Sequence, residues 1–374
     1  MRRITDRQRR ALLGARQLLA RRGDTVAEVA DAVLALHATD AATVFLSVFA
    51  RLREPSVAAV EQALYSSMHR MLAMRRTMFA VADDLAPVVW SSTGRAIAAR
   101  ERAGLVKFLA DAGYSAAWLA RVEKSTISAL AARGEATAAD LGLDVPELRE
   151  QIAVAVGKPY EATQSIGTRV IRVLAAEGSI RRSRPRGGWT SSQFRWAPAV
   201  PFEDVPDAKA ELVRRWLDRY GPATAADIKW WTGWTLTDVR KALVDASPVV
   251  LEDGAAAFAP PDLVIPDVEP WAALLPALDP APMGWQERSW YLPADPSPLF
   301  DRTGNIGPTV WWDGRVVGGW AQRADGSLAW EAVADVPRAA ARAISAEVDR
   351  LAAVLGDVRV TPRFRTPLER RLSS

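Results

Sequence analysis

The chain has 374 residues, 49% hydrophobic and 25% charged, with a net charge of +4 and a pI near 9.5. That balance describes a folded globular protein of two to four modules, and no apolar run reaches the roughly 20 residues that span a bilayer. The absence of cysteine excludes disulfides, thiolate zinc sites and a cysteine nucleophile, and two histidines, His37 and His69, give almost no basis for a histidine-held metal.

In chain order, the first 120 residues or so predict mainly helices. A basic amphipathic helix is expected over 5–22 and an apolar segment over 25–37. A third helix begins near Thr43, and Ser56 caps a fourth. Residues 71–82, MLAMRRTMFAVA, turn strand-like around Arg75 and Arg76. Helices followed by a short strand pair is the order of a winged helix. Further helices are expected over 84–120.

The order recurs over 124–204. KSTISALAARG predicts a helix, Thr137 caps a second, GTRVIRVLAAEG is a third closed by Gly178, and SIRRSRPRGGWTSSQFRWA reads as a β-hairpin. It recurs again over 208–258, with a helix stopped at Gly221-Pro222, helices capped near Thr224 and by Thr235, and a hairpin turning at Asp253-Gly254. The step ATAAD opens the second helix at both 136–140 and 223–227, which supports an internal repeat; a solenoid is the alternative, but hairpins fit wings better. After the Pro-rich linker PPDLVIPDVEP, strands are expected over Trp285–Leu292 and in a three-run meander over 300–333. A helix, a short strand and a basic tail follow. The reading is α+β: three tandem winged-helix units at 1–122, 123–204 and 205–262, then a C-terminal β-rich α+β domain at 263–374.

From Arg181 to Arg195 the second hairpin carries five arginines (Arg181, Arg182, Arg184, Arg186, Arg195) and no acid. Guanidinium pairs bidentately with phosphate, and Ser191 and Gln193 are among the small donors beside it. The hairpin is therefore read as a DNA contact in preference to a solvated edge, where both signs normally mix. Arg169 and Arg172 on the preceding helix point the same way. For Arg75 and Arg76, grouped with His69 and Arg70, a phosphate role and a plain surface role weigh equally. Most of the tryptophans suit core packing, and Trp189 is the exception to test as a base-stacking ring. At LALHATD, residues 34–40, local sequence favours Asp40 or Thr39 as a helix cap with His37 packed at an element end; a catalytic cluster is the alternative.

Several stretches together resemble the winged-helix AlkZ-like DNA glycosylase superfamily: LALHATDAATVFLSVFARL, HRMLAMRRTMFAV, EGSIRRSRPRGGWTSSQFRWA, RYGPATAADIKWWTG, LLPALDPAPMGWQERSWYL and DGRVVGGW, in that order over nearly the whole chain. The resemblance implies a concave DNA-binding channel and excision of N7-alkylated or bulky purines, in some members from interstrand crosslinks. Where family members carry Gln-x-Gln or Gln-x-Asp, this chain has His37-Ala38-Thr39. On that correspondence His37 would hydrogen-bond and partly deprotonate the attacking water, being a side chain that titrates near neutrality, Thr39 would position it, and Asp40 would stabilise an oxocarbenium-like centre. A cationic N7-alkylpurine is already a good leaving group, and no lysine nucleophile is evident in the first module, so hydrolysis without strand cleavage is expected. The expected partner is damaged double-stranded DNA, with no metal, cofactor or membrane, for a monomer in the cytoplasm at the nucleoid. A non-enzymatic winged-helix DNA-binding protein, possibly a regulator, is the alternative.

Overall fold

The computed structural model describes residues 1–155, 157–159 and 161–374, as a mixed α+β chain with several small sheets. No helix among them is long and apolar enough to cross a membrane.

The first helix, Asp6–Arg16, stops short of the expected 22, because Leu18 adopts a φ of 57° and the amides of Leu19 and Ala20 both turn back to the Gly14 carbonyl. The apolar segment over 25–37 divides. Thr25 caps the helix Val26–Val33 through a reciprocal bond with Glu28, and Leu34 breaks it at a φ of 58°. Residues Ala35–His37 then form a strand, for a tertiary reason. They pair antiparallel with Thr77–Ala82, whose other edge carries Met68–Ala73. Helices Ala41–Phe49 and Val57–Ser66 lie between these strands in sequence. Arg75 and Arg76, both at positive φ, make the turn of the hairpin.

Two further sets of helices followed by a hairpin appear. Helices Ala116–Arg133, Ala138–Asp144 and Ile166–Ala176 precede the strands Ile180–Pro185 and Phe194–Pro198. Helices Ala208–Tyr220, Ala225–Thr232 and Leu236–Ala242 precede Ser247–Leu251 and Ala256–Ala259. The ATAAD steps do the same job in both sets. Thr137 and Thr224 cap their helices in reciprocal bonds with Asp140 and Asp227, and the alanines before them, Ala136 and Ala223, bridge to Trp196 and Phe258 on the following hairpins.

Several expectations need correcting. The boundary placed at 122 falls inside the helix Ala116–Arg133, which Ser115 caps. A hairpin, Gln151–Val154 with Ala162–Ser165, interrupts the second set. Trp285–Leu292 forms turns instead of a strand: the amides of Gln286 and Glu287 donate to the Asp227 carboxylate, and Trp285 donates to the Tyr220 carbonyl, so the ladder bonds are spent elsewhere. The C-terminal sheet has four strands, Ala272–Leu275, Thr309–Trp312, Arg315–Gln322 and Leu328–Ala332, because the segment AALL, which runs into LLPALDP, adds its first. In place of the short strand near 358–360 the tail is irregular and then helical over Pro367–Ser373.

Alternation explains the packing of this sheet. Ala272 and Leu274 join a core with the first helices and with helix Arg338–Leu355, while Ala273 and Leu275 join a core with helix Ala208–Tyr220. Residues 105–180 have their own core, built on Leu119, Leu130, Val170 and Leu174. The N-terminal strand Arg2–Ile4 pairs in parallel with Ser247–Leu251, tying the chain start to the third hairpin.

Candidate functional site

A cavity of about 530 Å³ opens where these bodies meet, with His37 and Thr39 on its wall. The first hairpin contributes Arg70 and Arg76, helix Ile166–Ala176 contributes Arg172, and the arginine hairpin contributes Arg182, Ser192 and Phe194. The C-terminal part of the chain closes it with Leu278, Asn305 and Arg363. Among the described residues no aspartate, glutamate or lysine lines the cavity.

His37 ends its strand opposite Phe79, edge-on to that ring at 5.2 Å. The imidazole is 6% exposed, and its Nδ1 is sealed with no hydrogen-bond partner, which leaves Nε2 as the ring nitrogen to meet the cavity. Burial, helped by the positive charge of Arg75, lowers its pKa to about 3. At any working pH His37 is therefore neutral and too weak a base to carry a proton, so the expectation of a group titrating near neutrality is not met. Asp40 takes the cap role: Oδ1 accepts from the Ala42 amide at 3.1 Å, and Oδ2 accepts from the Arg363 amide at 3.0 Å. With both oxygens engaged and the residue absent from the cavity wall, Asp40 is a tether between the first helices and the tail.

The arginines divide by partner. Arg76 and Arg172 both pair with Glu101, at 2.6 and 2.8 Å. Arg169 bonds to Gln164 and lies over Phe108 at 4.1 Å, in a hollow beside the cavity. Arg75 turns away from the cavity and stacks over Trp230 at 4.0 Å; burial and the charge of Arg288 lower it to about 10. Its former companion His69 pairs with Asp83 at 2.9 Å. Arg184 is exposed, 3.8 Å from Glu61, and Arg186 is exposed at the tip. Arg181 is half-buried. Ser191 accepts from the Gln193 amide, and the Gln193 carbonyl accepts from the Arg186 amide, so these two residues shape the tip.

Trp189 is not a free stacking platform. It is 7% exposed and packs against Phe45 at 4.9 Å and Phe49 at 5.9 Å, inserting the hairpin tip into the first helical core. That anchor holds Arg182 and Phe194 over the cavity. Arg182 lies over Phe194 at 5.0 Å from one strand, and Arg70 lies over the same ring at 4.7 Å. Burial, then the like charges of Arg70, Arg172 and Arg363, lower Arg182 to about 10.

A family model described as DNA glycosylase AlkZ-like matches residues 30–354. The chain belongs to the AlkZ-like DNA glycosylase family. Among solved structures it is similar to the DNA glycosylase AlkZ of Streptomyces sahachiroi, with a TM-score of 0.71 and 21% identity, covering 97% of this chain and all of that one. No curated protein sequence matches the chain.

His37 and Thr39 share the cavity wall with Arg70, Arg76, Arg172, Arg182 and Arg363. Sequence reasoning did not assign Arg363 or Asn305 to the site, and it grouped Arg70 with Arg75, Arg76 and His69 in a basic patch where a phosphate role and a surface role weighed equally. The basic tail PRFRTPLERRL was the one available signal for Arg363. Asn305 had none, since only folding brings it to the wall, and the basic patch that included Arg70 did not single it out.

Proposed function

We propose that this protein is a monofunctional DNA glycosylase that hydrolyses the N-glycosidic bond of N7-alkylated or bulky purines in double-stranded DNA, built as three winged-helix units and a C-terminal β-rich domain. The sheet order Ala35–His37, Thr77–Ala82, Met68–Ala73, with two helices between its first and last-joined strands, supports the winged-helix reading of the first unit. The observation that carries the function is the cavity itself. It brings His37 and Thr39 together under a roof of arginines, in a volume typical of a small-ligand pocket. DNA phosphates would track the arginines, and the damaged nucleotide would turn out of the stack into the cavity. There the Nε2 of neutral His37 and the Thr39 hydroxyl orient a water toward C1′. A cationic N7-alkylpurine leaves without protonation, so orientation suffices. The absence of lysine from the wall supports hydrolysis without strand cleavage, since a lyase step needs an amine near C1′.

The test is release of N7-methylguanine from duplex DNA, extended to a panel of bulky and crosslinked purines. Release by the wild-type protein and its loss in a folded His37→Ala variant that still binds duplex is the expected result. No release from any member of the panel leaves a non-enzymatic DNA-binding protein.

A further inference from the structure

Arg70, Arg182 and Arg363 share an unusual state. All three line the cavity, and among the described residues none of them forms a salt bridge. The Nε atoms of Arg70 and Arg182 are sealed from water and lack any partner. Arg70 is 9% exposed; it donates to the Tyr65 hydroxyl at 3.2 Å and otherwise lies over aromatic rings. Arg363 rests Nη1 on the Thr39 carbonyl at 3.4 Å, beside the reaction centre proposed above. A guanidinium without a counter-charge is costly where it is buried, as at Arg70 and in part at Arg182. Arg363 is exposed beside them, and phosphate oxygens are the bidentate complement of all three.

The second half of the problem is chemical. When the C1′–N9 bond breaks, the electron pair goes to N9 and neutralises the alkylated purine, while positive charge appears on C1′ and the ring oxygen. Water then adds to C1′, and its proton leaves to solvent. The sugar cation needs negative charge nearby, yet no carboxylate lines the cavity and Asp40 is spent on two backbone amides. A wall of bare guanidinium groups opposes that cation.

Both observations have one resolution. We propose that the two backbone phosphates flanking the extruded nucleotide enter the cavity, gathered by Arg70, Arg182 and Arg363, and supply the negative charge at the reaction centre that the protein lacks. The inference rests on the glycosylase reading and adds to it that the substrate's own backbone is part of the catalytic apparatus. The arginines are positioning residues, acting through the phosphates.

The experiment places one neutral methylphosphonate either beside an N7-methylguanine or several nucleotides away, and measures single-turnover release together with equilibrium binding. A flanking substitution is expected to slow release by about 100-fold, the scale of one lost electrostatic partner at a transition state. Binding is expected to fall by less than about tenfold, one phosphate among several. In Arg182→Gln, and independently in the more exposed Arg363→Gln, the flanking penalty should shrink to about threefold or less, since the clamp is already open. Equal effects at flanking and remote positions, or penalties that simply add to those of the variants, overturn the proposal. Wild-type protein that releases no base from the N7-methylguanine duplex with natural phosphates, nor from the panel of bulky and crosslinked purines, sinks the glycosylase reading instead. The clamp is then judged on binding to a duplex carrying a tetrahydrofuran abasic analogue, where coupling between Arg182→Gln and the flanking methylphosphonate supports it and additivity overturns it.

Discussion

His37 shows how far a neighbourhood can move one side chain. A free imidazole titrates near 6.5, but sealed beside Phe79 and near Arg75 it holds no proton above about 3. The unfolded chain takes up that proton below 6.5 and the folded chain does not, so stability falls as pH drops from 6.5 toward 3 and is unaffected by this group above 6.5. His37→Gln, which removes the titrating ring, is expected to flatten this part of the stability–pH curve relative to wild type, as thermal melts at a series of pH values will read. It should also keep release of N7-methylguanine within about tenfold, because an amide orients water as a neutral imidazole does. A pH–rate profile that breaks near 6.5 in wild type and not in the variant contradicts the neutral-orienter role. Local sequence had Asp40 right as a cap, since the cap needs only the next two residues, and it had no access to the proton affinity of His37.

At the scale of elements, the arginine hairpin is the clearest case. Alternation and the Pro-Arg-Gly-Gly turn predict its strands, and Ile180–Pro185 pairs with Phe194–Pro198. What the pattern does not carry is the direction of Trp189. Its ring enters the core beside Phe45 and Phe49, so the tip is a latch between the second helical set and the first, and the cavity wall depends on it. Trp189→Ala is expected to cost about 3–5 kcal/mol in denaturant unfolding, the usual range for a buried aromatic truncated to alanine. Release should fall with it, as Arg182 and Phe194 lose their support. A loss of DNA affinity with unchanged stability restores the stacking role instead. The capping boxes at Thr137 and Thr224 were legible for the opposite reason: each closes over four residues, Thr137 to Asp140 and Thr224 to Asp227.

For the whole molecule, the C-terminal sheet is more than an appendage to the helix-and-hairpin sets. Asp279, from LLPALDP, pairs with Arg51 at 2.7 Å with both side chains fully buried, and Arg51 also donates to the carbonyls of Gln17 and Ser47. The turn just before Asp279 brings Leu278 to the cavity, and the loop before Thr309–Trp312 brings Asn305. Asp279→Ala leaves an uncompensated buried charge and is expected to cost about 3–5 kcal/mol, whereas Arg51→Met combined with Asp279→Leu should recover most of that loss, both read by denaturant titration. If the single and double variants are equally unstable, the pair is not what joins the two regions.

The sequence by itself determined the helix caps, the hairpins, the repeated helix-and-hairpin order and the concentration of arginine in one segment. Their causes are local: a hydroxyl reaches an amide three residues on, and alternation persists over one strand. Only the tertiary structure decided which of those arginines go without a counter-charge, where Trp189 points, and that His37 lies in a wall without acids. Those outcomes depend on partners such as Arg363 and Thr39, 324 residues apart, whose meeting is a property of packing and is written in no short stretch of chain.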